Sequence, residues 1–161
     1  MDKNALYLFD TNVLLALLRG KGLGSYLNQT FGLSEVLNRP LVSIVSHGEL
    51  WAMAQRNNWG DKKRAALREM LNDLITLDLS DPAIIDGYVA VDEKSLLQPK
   101  GARKVSDNDK WIAATARAAG ALLLTTDQDF LHLHPDVCHV HYVDPVSRLP
   151  ESQGGTQQRL Q

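Results

Sequence analysis

Two kinds of pattern alternate along this chain. Short apolar runs or alternations fall at residues 6–9, 41–45, 75–79, 121–125 and 137–143, each bounded by polar or turn-forming residues. Runs of this length read as strands, and the unbroken ones as strands buried on both faces. Between them apolar residues recur at helical spacing: Val13, Leu14, Leu17 and Leu18; Leu50, Trp51, Met53 and Ala54; Leu67, Met70, Leu71 and Leu74; Ile84, Ile85, Tyr88, Val89 and Val91; and the 111–116 segment. Gly20, Gly22 and Gly24 form a flexible corner after the first helix, and Arg39-Pro40 ends a weaker amphipathic stretch over 25–37. Asn57, Asn58 and Gly60 separate the next two helices, and Ser80-Asp81-Pro82 places a capping residue ahead of a first-turn proline. Ser106 opens a further helix and Gly120 closes it.

Strands alternating with helices predict an α/β fold, a three-layer α/β/α arrangement around a mostly parallel central sheet of about five strands. From Asp144 onward Pro, Ser, Gly and Gln leave little to bury. The expectation is one domain over residues 1–145 and a disordered tail over 146–161.

Composition narrows the class without naming a chemistry. The 161 residues are 44% hydrophobic and 22% charged, ordinary for a globular protein with a proper core. A net charge of -2 and a pI of about 6.2 rule out a global basic field, though not a local basic patch. The single cysteine, Cys138, excludes a disulfide framework and a paired-cysteine metal site, and fits a reducing compartment. The N-terminus lacks the layout of a signal peptide and no apolar run is long enough to span a membrane, so the expected location is cytoplasmic.

The chemistry lies in the acids. Asp10 and Asp127 each stand just past the C-terminal end of an expected buried strand, and parallel strands bring those ends to one sheet edge. Glu49 and Asp109 each fall within the first turn of a helix expected to start on that edge. Four carboxylates from distant parts of the chain can therefore converge on one cleft. Bare carboxylates that close repel unless a cation intervenes, and a hard divalent ion, Mg²⁺ or Mn²⁺, suits oxygen ligands. Such a site fits phosphodiester hydrolysis. Each acid also has a local alternative. Asp10 or Thr11 caps a helix, Ser46-x-x-Glu49 and Ser106-x-x-Asp109 have capping-box spacing, and Asp127 is a turn residue in Thr126-Asp127-Gln128-Asp129. Asp107 and Asp129 are near-duplicates, readable as supporting ligands or as helix-end charges.

Four segments carry a family resemblance: Phe9-Asp10-Thr11-Asn12, Ser46-His47-Gly48-Glu49-Leu50, the 108–116 segment beginning Asn108-Asp109-Lys110-Trp111, and the 124–130 segment containing Thr125-Thr126-Asp127. In order and spacing they resemble the PIN-domain nucleases, and within those the VapC-like toxins of bacterial toxin–antitoxin pairs, over roughly residues 5–143. The resemblance implies an endoribonuclease that needs Mg²⁺ or Mn²⁺, with the family's acidic quartet carried onto Asp10, Glu49, Asp109 and Asp127. Asp109 is chosen over Asp107 because the family's third acid lies directly ahead of the x-x-Ile-Ala-Ala segment. Asp10 and Asp127 would be the most direct metal ligands, Asp109 and Glu49 would complete the shell partly through water, and Asn12 and Thr125 match polar residues that support the cleft. Lys100, Arg103 and Lys104, in the loop before the Asp109 helix, are the candidate RNA phosphate contacts, an ordinary solvated loop being the alternative. The resemblance also implies an antitoxin partner and a possible homodimer, for which the helices over 25–37 and 61–74 offer apolar stripes, unless these pack on the chain's own sheet.

Other readings are weaker. The 8–12 segment also resembles the nucleophile loop of haloacid-dehalogenase-type phosphatases, but Asn12 stands where those enzymes carry a second aspartate, and no lysine precedes the late acidic motif. A metal-silent PIN fold that only binds RNA or protein would be favoured by loss of an acid, and none is lost. Lys62, Lys63, Arg64 and Arg68 read as a solvated helix face. His132, His134, His139 and His141 with Cys138 lack the paired-ligand spacing of a closed zinc site.

Overall fold

In the computed structural model, which describes residues 5–31 and 39–150, five short strands form one sheet: β1 (Tyr7–Phe9), β2 (Leu41–Ser43), β3 (Ile75–Leu77), β4 (Leu122–Thr125) and β5 (Val140–Tyr142). Their order is β3-β2-β1-β4-β5 and every pairing is parallel. Helices α1 (Thr11–Arg19) and α2 (Leu23–Thr30) connect β1 to β2, and α3 (Ile44–Arg56) and α4 (Asp61–Asn72) connect β2 to β3. The chain then crosses back over the sheet through α5 (Pro82–Leu96) and α6 (Asp107–Ala118) to reach β4. A 3-10 helix (Gln128–Leu133) precedes β5. β1 is therefore the central strand, with β2 on one side and β4 on the other. The reversal of winding between β1 and β4 is a topological switch point, where α/β sheets of this kind bind ligands beyond the strand C-termini.

The two faces of β1 show why the strand is apolar throughout. Tyr7 and Phe9 pack into one core with Val13 and Leu14 of α1, Leu27 of α2, Leu50 of α3 and Leu67 of α4. Leu8, pointing the opposite way as strand geometry requires, joins Val91 of α5, Ile112 and Ala113 of α6 and Phe130 in the other core. Helices α1–α4 thus cover one face and α5–α6 the other, the expected three layers. Gly87 lets α5 and α6 approach closely, since a Cβ there would stand 3.0 Å from the Ala114 carbonyl oxygen.

Several boundaries differ from the sequence expectation. β2 stops at Ser43, not at residue 45, because the Ser43 hydroxyl accepts the Val45 N–H at 3.3 Å and caps α3, turning Ile44 and Val45 helical. β3 ends at Leu77, where the Asp78 carboxylate accepts the Ser80 N–H at 2.8 Å and makes a turn. β5 begins at Val140, since the Val137 and Cys138 N–H groups both fold back onto the Leu133 carbonyl. The amphipathic stretch expected over 25–37 is helical from Leu23 to Thr30, and 32–38 lie outside the described residues. The expected tail is described as far as residue 150. Val146 closes a turn on the Asp144 carboxylate, and the Arg148 guanidinium lies 3.0 Å from where a Gly22 Cβ would be. Residues 151–161 lie outside the described ones.

Candidate active site

Asp10 directly follows β1, at the N-cap of α1, yet its carboxylate makes no side-chain capping hydrogen bond. Instead Oδ2 accepts from the Thr125 hydroxyl at 2.8 Å, and Thr125 ends β4 beside it. The same Thr125 oxygen accepts the Asp127 N–H at 2.9 Å. One buried threonine therefore meets the carboxylate of Asp10 and the backbone of Asp127 at the switch point. Asp10 is only 2% exposed.

The other two acids reach the cleft from helices on opposite faces of the sheet. Glu49 lies in the second turn of α3, not the first, a direct result of α3 starting at Ile44. Ser46 is consequently inside the helix and cannot cap it; its buried hydroxyl bonds Thr11 Oγ1 at 2.9 Å. Thr11 also donates to Glu49 Oε2, and Asn108 Nδ2 donates to Glu49 Oε1 at 2.9 Å. Asp109 sits in the first turn of α6, where the Ser106 side chain caps the helix as the spacing predicts and the Asp109 carboxylate takes the Ser106 hydroxyl. Ser106 Oγ accepts the Asp109 N–H at 3.1 Å and donates to Asp109 Oδ2 at 2.7 Å. Asp127 likewise has a local role, accepting the Asp129 N–H at 2.9 Å to cap the 3-10 helix. These local bonds leave lone pairs on each carboxylate, which carries about four acceptor sites.

Asp10, Thr11, Asn12, Glu49, Asn108 and Asp109 line one cleft of about 560 Å³, with Val45, Gly48, Ala52, Met53 and Arg56 completing its α3 wall. Electrostatics tie the quartet together. Burial pushes Asp10 up from 3.8 to about 7, opposed by the Thr125 hydrogen bond and reinforced by repulsion from Asp109 and Glu49. Asp109 is also raised, again chiefly by burial, with its Ser106 hydrogen bond opposing and the Glu49 and Asp127 charges adding to it. Asp127, though not in the cleft wall, thus acts electrostatically on the acid beside it.

Carboxylates lining a cleft at a sheet switch point supply the oxygen donors that a hard divalent cation takes, and a cation beside Asp10 would favour its ionised form against the burial that pushes its carboxyl up. As they stand, no three His, Cys, Asp or Glu side chains among the described residues are grouped to hold an ion. The residues fit a metal in chemistry, as oxygen ligands around one cleft, with Thr11, Asn108, Ser106 and Thr125 occupying some of the carboxylate lone pairs.

Not every sequence-predicted residue reaches this place. Asn12 does. Asp107 turns away to Lys110 Nζ at 3.2 Å and Tyr88, and Asp129 pairs with Arg103 Nε at 3.2 Å. Lys100 and Lys104 line a separate cavity of about 350 Å³ with Asp92 and Lys110. Sequence reasoning gave no site role to Asn108, Ser46 or Arg56. Arg56 follows Glu49 by seven residues, a spacing that puts both on one helix face and could have flagged it. Nothing in the sequence signals the Thr11–Ser46 bond, which joins residues 35 apart. Among the histidines, His132 bonds Ser95 and the Asp129 carbonyl, His134 accepts the Val140 N–H, and His141 meets the Phe31 ring edge-on.

The family model that matches this chain is that of the PIN domain, over residues 7–134. The chain belongs to the PIN domain family. All four acids fall inside the matched span. No curated protein matches by sequence. Among solved structures, this PIN domain is similar to VapBC2 from Rickettsia felis bound to a DNA fragment from its promoter, at TM-score 0.69 and 19% identity over 85% of this chain and 98% of that one. It is similar to VapBC-1 from nontypeable Haemophilus influenzae at TM-score 0.68 and 20% identity, over 85% and 97%. VapBC-5 from Mycobacterium tuberculosis, a member of the VapBC family of toxin-antitoxin systems, follows at TM-score 0.59 and 21% identity, over 86% and 99%. At these identities the likeness is one of fold. No helix among the described residues is long and apolar enough to cross a membrane.

Proposed function

We propose that this PIN domain is an endoribonuclease that hydrolyses RNA phosphodiester bonds with Mg²⁺ or Mn²⁺, and that it is the toxin of a VapBC-type pair. The observation that carries the reading is Asp10: a buried carboxylate at the switch point, held at about 7, with the Glu49 and Asp109 charges against it. An ionised carboxylate buried there weakens the fold as pH rises through about 7, so its presence is best accounted for by a ligand that needs it. Asp10, Glu49, Asp109 and Asp127 would hold the cation, which supplies Lewis acidity toward water and phosphate oxygens when bound. Thr125 orients Asp10 and, through its accepted N–H bond, the start of the Asp127 turn. Thr11 and Asn108 fix the Glu49 carboxylate, leaving it lone pairs with which to take a proton from the attacking water. No side-chain nucleophile is required. Lys100 and Lys104 serve as outer phosphate contacts in this reading, while Arg103 is engaged by Asp129.

The antitoxin partner is supported by the toxin-antitoxin systems that share the fold. α4, one of the stretches expected to meet a partner, forms an open groove with α1 lined by Leu17, Leu18, Met70 and Leu74. The reading is tested by incubating purified protein with a mixed RNA pool in EDTA, Mg²⁺ or Mn²⁺. Cleavage with either metal and none in EDTA is expected. An inert protein that still binds RNA would instead make this a binding module.

A further inference from the structure

The cleft has one wall with two chemistries. Going along α3, the residues that face it are Val45, Gly48, Glu49, Ala52, Met53 and Arg56, the spacing of a single helix face. Glu49 belongs to the acid cluster. Arg56 lies two turns further on, about 10.5 Å along the helix axis at 1.5 Å per residue, and is the only cation among the residues lining this cleft. Between them stand Ala52 and Met53, and beside Met53 the residues Gly48 and Ala52 leave a low strip. A Cβ at Gly48 would meet nothing within 4 Å, and Ala52 adds a single methyl.

The guanidinium of Arg56 is uncommitted. Among the described residues it makes no hydrogen bond or ion pair, and its side chain is exposed. Neighbouring cations are spent otherwise. Arg64 donates to the Trp59 and Ala54 carbonyls and to Gln55, so it already ties down the C-terminal end of α3. Lys63 lies over the Trp59 ring at 3.6 Å and Arg68 over Trp51 at 5.6 Å. Lys110 is held by Asp92 and Asp107. A free fork of donors at the far end of an acid-lined cleft, in a chain of net charge -2, suits an oxyanion bound through two parallel hydrogen bonds, and on an RNA strand that group is a backbone phosphate.

Resting on the nuclease reading above, we propose that Arg56 binds a phosphate of the RNA strand adjacent to the bond that is cut, with the strand laid along α3 across Gly48 and Ala52. The acids act on one phosphodiester and Arg56 anchors its neighbour. The contact is to the backbone, so it fixes register and affinity and carries no base preference. Arg56 is a positioning residue: it holds the strand and takes no part in bond making or breaking.

The test uses the full chain with Mg²⁺ and a short fluorescent single-stranded RNA of mixed sequence, comparing wild type with Arg56→Gln and Arg56→Lys. For Arg56→Gln, KM is expected to rise about tenfold, the effect of losing one charge-assisted contact, with kcat within twofold. Equilibrium binding, read in a cleavage-dead Asp127→Asn background, should lose about 0.7 from the slope of log affinity against log salt, one phosphate contact on a single strand. Arg56→Lys should keep that slope and recover part of the affinity. A wild-type KM and slope in Arg56→Gln would overturn the assignment while leaving the nuclease reading intact. So would a loss of affinity with no change in slope, the mark of a purely structural role. A wild type that neither binds nor cuts the RNA would overturn the nuclease reading and this one together.

Discussion

Thr125, at the last position of β4, donates its hydroxyl proton to Asp10 at the end of β1, at 2.8 Å, although 115 residues separate them in the chain. The bond joins the two strands on either side of the switch point and is the main influence opposing burial in setting the Asp10 carboxyl. Thr125→Val keeps the shape and removes both the donor to Asp10 and the acceptor of the Asp127 N–H. Chemical denaturation should show a loss of roughly 1–3 kcal/mol. The acid limb of the pH–rate profile should also move to higher pH, because ionised Asp10 loses its hydrogen bond.

Asp10 makes stability depend on pH in a stated direction. Its carboxyl is raised from 3.8 to about 7 in the fold, so the folded protein holds the proton more tightly than the unfolded chain does. The resulting stabilisation is fully present below about pH 4 and is lost as pH rises through about 7. Asp109, also raised, acts in the same direction. In EDTA the melting temperature of the wild type should fall between about pH 5 and about pH 8, and Asp10→Asn should flatten much of that fall. Added Mg²⁺ should restore the wild type at the higher pH and leave Asp10→Asn little changed.

Two glycines should respond to alanine with opposite signs. A Cβ on Gly24, in α2, would stand 2.1 Å from the Ala16 carbonyl oxygen, so α1 and α2 must separate to admit it. Gly24→Ala is expected to cost about 3 kcal/mol, the upper range for overpacking. Gly48 is helical with open space around it, and Gly48→Ala should gain up to about 1 kcal/mol from helix propensity alone. Parallel urea melts distinguish the two.

Much of this site was legible because its elements obey local rules. Leu8 and its neighbours form an apolar run that only a doubly covered strand explains, and Asp10 ends it; the position of the acid on the sheet edge follows from chain order alone. Ser106 and Asp109 announce the start of α6 by spacing, and the capping bonds are there. What the sequence obscured were competitions between neighbours. Ile44 and Val45 look like strand, but Ser43 captures the Val45 N–H and the helix wins, moving Glu49 back by a turn and freeing Ser46 to meet Thr11. Arg103 and Lys104 are adjacent cations in one loop, yet one pairs with Asp129 and the other lines a separate cavity. Such choices depend on three-dimensional neighbours, which no local pattern encodes.

The central claim is that Asp10, Glu49, Asp109 and Asp127 act as one metal-dependent centre. Single-turnover cleavage of RNA in Mg²⁺ by the wild type, Asp10→Asn and Asp127→Asn tests it most directly. Asp127 matters most in this comparison, because it stands outside the cleft wall and touches the cluster through Thr125 and through its charge on Asp109. The expected result is a wild-type rate abolished by EDTA and a fall of at least about a hundredfold in both variants, about 2.7 kcal/mol in the barrier. Metal-dependent cutting that survives both substitutions would contradict the account and place the chemistry elsewhere in the protein.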